Sequence, residues 1–544
     1  MGRPRVSFKH LTVLPVQRSG EHDRGELAAD GGIVKFKNPE ATPICWIGWG
    51  FFLDRDYQHG CLGPKGDRLS KTSGPHSNPA LSYYDYQEVR CYRILCGNFM
   101  TNRPKISIVG AGSPTWTRTL AKDILLTPVL QDAELNLFDP DREAAEINAA
   151  FLHKLADLLQ IGPAIRVSDR KESLEGSDYI IITISTGGLD SMKFDLDIPE
   201  QFGIFHTVGD TSGPGGWARL VRNFKPFRVL AETISKLAPS ALVLNYTNPM
   251  ATLTDVLTRS LDNPVIGLCH GLFENLELIR RYFKLGSEKE ISINYGGLNH
   301  FFWCDKITVR GADVLREFRE SGKSLNQVFQ ESFTDTAGYG SSREVASELF
   351  NLTGVLPYLG DRHTCEFFPW YITDLSRMEA CHLKRTTIAR RQELQNIARS
   401  ELLDMISGEI PSGYRERSRE TAADILEAHQ LGGPFIDVGN VANIGQIGNL
   451  PLGTIVETAV RVDQNGFSPV CFGNLPEAAA VLVRPYADVY RMTVEACIEG
   501  NRAKALQALR ADPVCANLTT AKVFEMGDLL LGAHSDWIDC FDLC

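Results

Sequence analysis

The sequence predicts an α/β protein, a doubly wound parallel sheet followed by an α+β C-terminal domain. Three observations carry this. Near-continuous Ile/Val/Leu runs alternate with helical segments between Lys105 and Cys269, the first run ends in glycines that lead straight into a helix, and beyond His300 the periodicity becomes mostly helical. Apolar strands without polar alternation are buried on both faces, which parallel sheets with helices on each side require.

Taken in order, "KISIVGAG" is a short β-branched run, followed by the helix-like "TWTRTLAKDILL". "AELNLFDPD" is a second strand with an acid at its end, and "EAAEINAAFLHKLADLL" is a strongly periodic helix. "DYIIITIST", "SALVLNYTNP" and "NPVIGLC" are further apolar strands, with "FKPFRVLAETISKLA" as a helix between two of them. "TTIARRQELQNIARSELLDMI" represents the helical C-terminal part. No internal repeat is visible. The expected division is a poorly structured extension over residues 1–100, where Gly, Pro and polar residues dominate, a nucleotide-binding domain over 101–294 and a C-terminal domain over 295–544.

At 544 residues the chain is too long for one ordinary domain, and 43% hydrophobic with 23% charged residues is ordinary for a globular protein. A net charge of -11 with no basic stripe argues against nucleic acid as partner. No apolar run is long enough for a membrane span, and the N-terminus lacks the apolar core of a secretory signal. Thirteen scattered cysteines without framework spacing fit a reducing compartment, so the cytoplasm is expected.

"IVGAGSPTW" places Gly110 and Gly112 directly after a strand and before a helix. The first glycine permits the tight turn; the second lets backbone N–H groups of the turn, Ser113 included, approach a pyrophosphate at the helix N-terminus. Thr115 stands where a third glycine is usual. Asp139 closes the second strand in "NLFDPD", where an acid grips ribose hydroxyls and repels a 2′-phosphate, favouring NAD. This setting makes the first domain Rossmann-like; an ordinary βα turn with a capping acid is the plainer alternative.

Four other stretches concentrate polar groups. "HTVGDTSGPGGWARLVR" sets Asp210 and Thr211 before a glycine-rich helix start, and "NYTNPM" ends a strand with Asn245 and Asn248. "GDRHTCEFFPW" gathers Asp361, Arg362, His363 and Glu366 among aromatics, a density suited to a polar ligand. "VIGLCHGLFEN" and "YGGLNHFFW" put Cys269, His270 and His300 at the ends of strand-like runs. A buried structural Cys, a reactive thiol and a divalent metal site all remain open there.

From about Lys105 to Asp528 the chain resembles glycoside hydrolase family 4, the NAD- and divalent-metal-dependent glycosidases. "IVGAGS", "VGDTSGPGG", "NYTNPM", "LCHG" and "GLNHFFW" match that family's motifs in order. "VGDTSGPGG", "YLGDRHTCEFFP" and "NIGQIGNLPLGTIVET" are most similar to its α-galacturonidase branch. The resemblance implies a lactate/malate-dehydrogenase-like scaffold, Cys269 and His300 as ligands to Mn²⁺ or another divalent ion, Asn248 and Asp210 as substrate contacts, His270 as acid and Asp361 as base, although a Tyr takes that last role in some relatives. The implied reaction is oxidation at the sugar C3, elimination, water addition and reduction, with α-glucuronides or neutral α-glycosides as alternative substrates. For a uronide, Arg362 or Arg219 would meet the carboxylate. A plain NAD-dependent dehydrogenase is the rival reading, and a homo-oligomer is expected from the relatives.

Overall fold

A computed structural model describes residues 103–333 and 343–541 of the chain. The extension expected over 1–100 lies outside them. Six strands form the expected parallel array: β1 (Lys105–Val109), β2 (Glu134–Phe138), β3 (Ala164–Val167), β4 (Tyr179–Ile182), β5 (Leu242–Asn245) and β6 (Val265–Gly267). Their spatial order is β3-β2-β1-β4-β5-β6, every pair parallel. The order reverses between β1 and β4, so a crevice opens above their carboxyl ends, at Gly110 and Thr183.

The strands form where they do because they are apolar on both faces. All four residues of β4 (YIII) and of β5 (LVLN) are buried. Each fully buried Ile contributes roughly 1.5–3 kcal/mol relative to an exposed one. The helices Trp116–Leu126 and Arg142–Leu159 pack against one face through Leu120, Ile124, Phe151, Leu152 and Leu155. The second begins where Asp141 accepts the Ala144 N–H, an ordinary acidic cap. The opposite face is covered by Gly213–Leu237, Met250–Ser260, Glu477–Glu499 and Thr520–Ala533.

The chain beyond β6 extends the same sheet. β7 (Ile291–Leu298) and β8 (Phe301–Val309) make a hairpin, β9 (Ala312–Asp313) and β10 (Leu356–Pro357) flank β8, and β11 (Phe435–Ala442), β12 (Ile455–Asp463) and β13 (Gly466–Pro469) follow. β11 joins the parallel half by pairing antiparallel to β6 at Asn440–Gly267. The full order is β10-β8-β7-β12-β11-β6-β5-β4-β1-β2-β3, with β13 on β12 and β9 on β8. Residue 294, the expected boundary, therefore falls inside β7, and the two regions share backbone hydrogen bonds. Alternating strands and helices describe the first half well, but they cannot reveal that later strands pair with β6.

The helix expected over "FKPFRVLAETISKLA" starts earlier, at Gly213, and runs to Leu237. Its first turn is glycine-rich because it packs directly on a neighbouring backbone: a Cβ on Gly216 would lie 2.6 Å from the carbonyl of Thr211. The glycines thus bring the 206–212 segment against a helix.

Candidate active site

The crevice at the sheet reversal is built first by the turn after β1. Gly110 and Ala111 donate their amides to Phe138 O, at 2.9 and 3.0 Å, which ties the turn to the end of β2. Gly110 has φ +95°, and a Cβ there would lie 2.7 Å from the Thr183 carbonyl. Only glycine fits this position. Asp139 accepts the Gly112 amide on Oδ2 at 2.8 Å and the Asp141 amide on Oδ1 at 2.9 Å. Burial raises its carboxyl and the two amides pull the other way. Ser113 Oγ accepts the Trp116 amide at 3.1 Å, and Thr115 supplies no side-chain cap, so the helix start keeps donors for an anion.

Cys269 follows the end of β6, and His300 occupies the tight turn in which Leu298 pairs with Phe301. His300 adopts φ +60°, a left-handed conformation uncommon outside glycine. That turn aims the imidazole across the sheet edge: Cys269 Sγ and His300 Nε2 are 3.2 Å apart. The other ring nitrogen is 3.0 Å from Thr211 Oγ1, whose hydroxyl donates to Asp210 Oδ1 at 2.9 Å. A hydroxyl has one hydrogen, so Thr211 accepts from His300 Nδ1–H, and Nε2 turns its lone pair toward the sulphur. Burial pushes the Cys269 thiol up and the His300 imidazole down. A neutral imidazole beside a sulphur is a donor pair for a divalent ion. Among the described residues no three His, Cys, Asp or Glu side chains converge on one point, so an ion held here keeps most of its positions open to substrate oxygens.

Beside this pair lies a cavity of about 480 Å³, lined by His270, which follows Cys269, and by Tyr358 and His363, which pack on His300, together with Phe273, Arg343, Arg362 and Glu420. Trp116, at the start of the dinucleotide helix, stacks on His270 with centroids 5.9 Å apart. The glycine turn and the Cys269–His300 pair are thereby neighbours. His270 Nδ1 is 3.3 Å from Glu420 Oε1, and the hydrogen bond to that carboxylate raises the imidazole. The His300 ring also packs against Tyr358 (5.5 Å, 15°) and against His363 (3.9 Å, tilted by 34°), and those two rings are 6.4 Å apart.

The remaining expectations divide. Asp210 is brought to the site; burial works to raise its carboxyl, but His363, Arg219 and Arg391 outweigh it and hold the group far below the usual range. Asn248 Oδ1 is buried without a partner, an acceptor that a ligand hydroxyl would satisfy. Arg362 lines the cavity with its guanidinium steadied by Lys384 O (3.1 Å) and by the Thr386 hydroxyl. Arg219 donates to Asn248 O at 2.9 Å.

Asp361 stands at a helix start. Burial raises its carboxyl to about 7, but its oxygens accept the Val345 and Ala346 amides at 2.9 and 3.0 Å, capping the helix Glu344–Thr353. It does not line the cavity. Tyr358, three residues earlier, does. Sequence reasoning also passed over Glu420 and Trp116. Glu420 sits in "RERSRETAAD", a charged run that reads as solvated surface, and Trp116 reads as a helix residue. Neither stretch carries a local signal.

Comparison with known proteins follows this geometry. The profile of "Family 4 glycosyl hydrolase" matches residues 105–285, and that of "Family 4 glycosyl hydrolase C-terminal domain" matches 295–515. The chain is 33% identical over 422 residues to an α-galacturonidase of Bacillus subtilis (strain 168), covering 75% of this chain and 93% of that one. It is 30% identical over 453 residues to an α-galactosidase of the same strain, covering 80% and 99%. A solved B. subtilis structure described as a glucosidase superimposes with a TM-score of 0.71 at 30% identity, over 79% of this chain and all of that one. The 6-phospho-β-glucosidase of Thermotoga maritima, solved with manganese, NAD⁺ and glucose-6-phosphate, shares the fold at a TM-score of 0.64 and 20% identity, over 80% and 99% of the two chains. The two matched profiles and the relatives that run the length of the described fold establish that the chain belongs to glycosyl hydrolase family 4.

Proposed function

We propose that the protein hydrolyses α-linked galacturonides or closely related uronides, with NAD and a divalent ion such as Mn²⁺ as cofactors. The observation that carries the reading is Cys269 Sγ lying 3.2 Å from His300 Nε2, next to a histidine stacked on the first residue of the dinucleotide helix. Gly110, Gly112, Ser113 and Asp139 would hold the dinucleotide; Cys269 and His300 would hold the ion. When bound, these cofactors supply a reversible hydride transfer at the sugar C3 and Lewis-acid polarisation of the C2 and C3 oxygens.

The chain's own groups do the rest. Tyr358, on the face of His300, is placed to accept the C2 proton in the role first assigned to Asp361. Burial pushes its phenol up, so it serves as a base once positive charge stands beside it. His270 faces the cavity with its Nδ1 side against Glu420, and it can pass a proton to the departing aglycone oxygen. Asn248 Oδ1 accepts from a sugar hydroxyl. Tyr358 and His363 cover part of the His300 ring.

An acidic sugar is supported by the charge balance. Arg219, Arg362 and Arg391 stand about the site, and they donate hydrogen bonds to neutral acceptors: Asn248 O and Ser185 Oγ, Lys384 O and the Thr386 hydroxyl, and Val208 O. Glu274 and Glu420 stand on the cavity wall with Arg343 and Arg362, and Asp210 stands against Arg219 and Arg391, so three carboxylates face four guanidinium groups and a substrate carboxylate would complete the balance. The test is hydrolysis of p-nitrophenyl α-galacturonide, α-glucuronide and α-galactoside with Mn²⁺, NAD⁺ and a thiol reductant. Aglycone release from the galacturonide, with NAD⁺ needed only catalytically, is expected. Faster turnover of the galactoside would move the substrate to neutral sugars. Stoichiometric NADH without aglycone release would make the protein a dehydrogenase.

A further inference from the structure

Glu366 is wholly buried in the short helical segment Cys365–Phe367, yet it touches neither the cavity nor the Cys269–His300 pair. It grips one segment, residues 206–212, at both ends. At the near end Oε1 accepts the Val208 amide at 2.6 Å and the Gly209 amide at 2.9 Å, Oε2 is 3.2 Å from the same Gly209 nitrogen, and His206 Nδ1 lies 3.4 Å from Oε1. At the far end the Ser212 hydroxyl donates to the backbone oxygen of Glu366 at 3.0 Å. Burial works to raise this carboxyl, but His206 and the amides outweigh it and keep the group ionised.

The residues between the two grips are Asp210 and Thr211. This segment belongs to no strand, so nothing in the sheet fixes its height. Glu366 supplies what a strand partner would. The position of Thr211 Oγ1 decides whether His300 keeps its hydrogen on Nδ1 and its lone pair on Nε2.

We infer that Glu366 is a positioning residue for the metal site, stapling the 206–212 segment so that Asp210 and Thr211 hold the His300 ring with Nε2 facing Cys269. The inference rests on the reading of Cys269 and His300 as metal ligands. Removing the staple loosens the support of a ligand, and losses of support of this kind cost about 10- to 100-fold in metal affinity.

The test measures Mn²⁺ binding to the full chain by the electron paramagnetic resonance signal of the free ion, with NAD⁺ binding measured alongside. His300→Ala is the control for the underlying reading: if it binds Mn²⁺ as the wild type does, the metal-site assignment fails. Given that control, Glu366→Gln is expected to weaken Mn²⁺ about tenfold or more while NAD⁺ affinity stays within about twofold. A general folding defect would lower both. Thr211→Val is expected to weaken Mn²⁺ similarly, and the double variant to be no weaker than the weaker single variant, because both act through one contact. If Glu366→Gln does not fold, Ser212→Ala loosens the far grip without unpairing a buried charge and is expected to weaken Mn²⁺ severalfold. Unchanged Mn²⁺ affinity in Glu366→Gln or, failing that, in Ser212→Ala overturns the inference. So do multiplicative losses in the double variant.

Discussion

Replacing Gly110 with Ala tests whether the turn after β1 is a dinucleotide site or an incidental loop. The residue sits at φ +95°, where an L side chain is strained by about 1–2 kcal/mol. The new Cβ would also lie 2.7 Å from both C and O of Thr183 and 2.9 Å from Ile184 N. These are backbone atoms just past the end of β4, where the Thr183 amide still donates to Val109 O, so they cannot rotate away. Ordinary carbon contacts are about 3.5–4.0 Å, and the turn must shift by nearly 1 Å to restore them. That displacement moves the amides that would face a pyrophosphate. NAD⁺ affinity is expected to fall about 100-fold, near 2.7 kcal/mol, and the melting temperature by several degrees. Gly112→Ala is the comparison. Its Cβ would meet the Asp139 carboxylate at 2.9 Å and the Ala144 Cβ at 3.1 Å, side chains rather than strand-end backbone, so the turn gives by less, the melting temperature falls less and NAD⁺ weakens about tenfold. Calorimetric titration with NAD⁺ reads both. If Gly110→Ala binds NAD⁺ within about threefold of the wild type, the assignment of the crevice is wrong.

Three further outcomes are expected. Asp361→Ala should lower the melting temperature, since two buried amides lose their acceptor at about 1–2 kcal/mol, while turnover below the transition stays within about threefold; a thousandfold loss of kcat with unchanged melting would restore Asp361 as the base. Arg362→Lys should raise KM for a uronide about tenfold and for a neutral glycoside little, because only a carboxylate uses the guanidinium fork; equal effects on both would remove it from substrate recognition. Asp512 is buried, and its carboxyl is raised from 3.8 to about 6 despite the Val514 amide and the facing His206. Its raised value means the native state binds the extra proton, so wild-type stability falls as pH climbs from about 4 through 6, by roughly 3 kcal/mol in all. Asp512→Asn escapes that loss and should melt higher than the wild type at pH 7.5, the gap closing toward pH 4. Parallel melting curves across that range would contradict the assignment.

Local chemistry was readable wherever one residue type met one backbone demand. Gly110 needs the left-handed turn, Asp139 needs the end of a strand, and β4 and β5 need to be apolar on both faces. The Cys269–His300 pairing was readable as an expectation because both residues end strand-like runs, and strand ends in such sheets gather on one edge. The placement of Asp361 was not readable for a related reason: a polar residue in a polar cluster looks the same whether it faces a cavity or the start of a helix.

The sequence by itself determined the parallel half-sheet, the dinucleotide turn and the identity of the paired sulphur and imidazole. These depend on patterns within a few residues, where sterics and burial act directly. Tertiary structure alone decided that β11 and β12 continue the sheet, that Tyr358 and not Asp361 lines the cavity, that Glu420 backs His270 and that Glu366 hydrogen-bonds the 206–212 segment. The Asn440–Gly267, Glu420–His270 and Glu366–Val208 contacts join residues about 150 or more positions apart, and their energy comes from desolvated groups that meet only once the chain has packed.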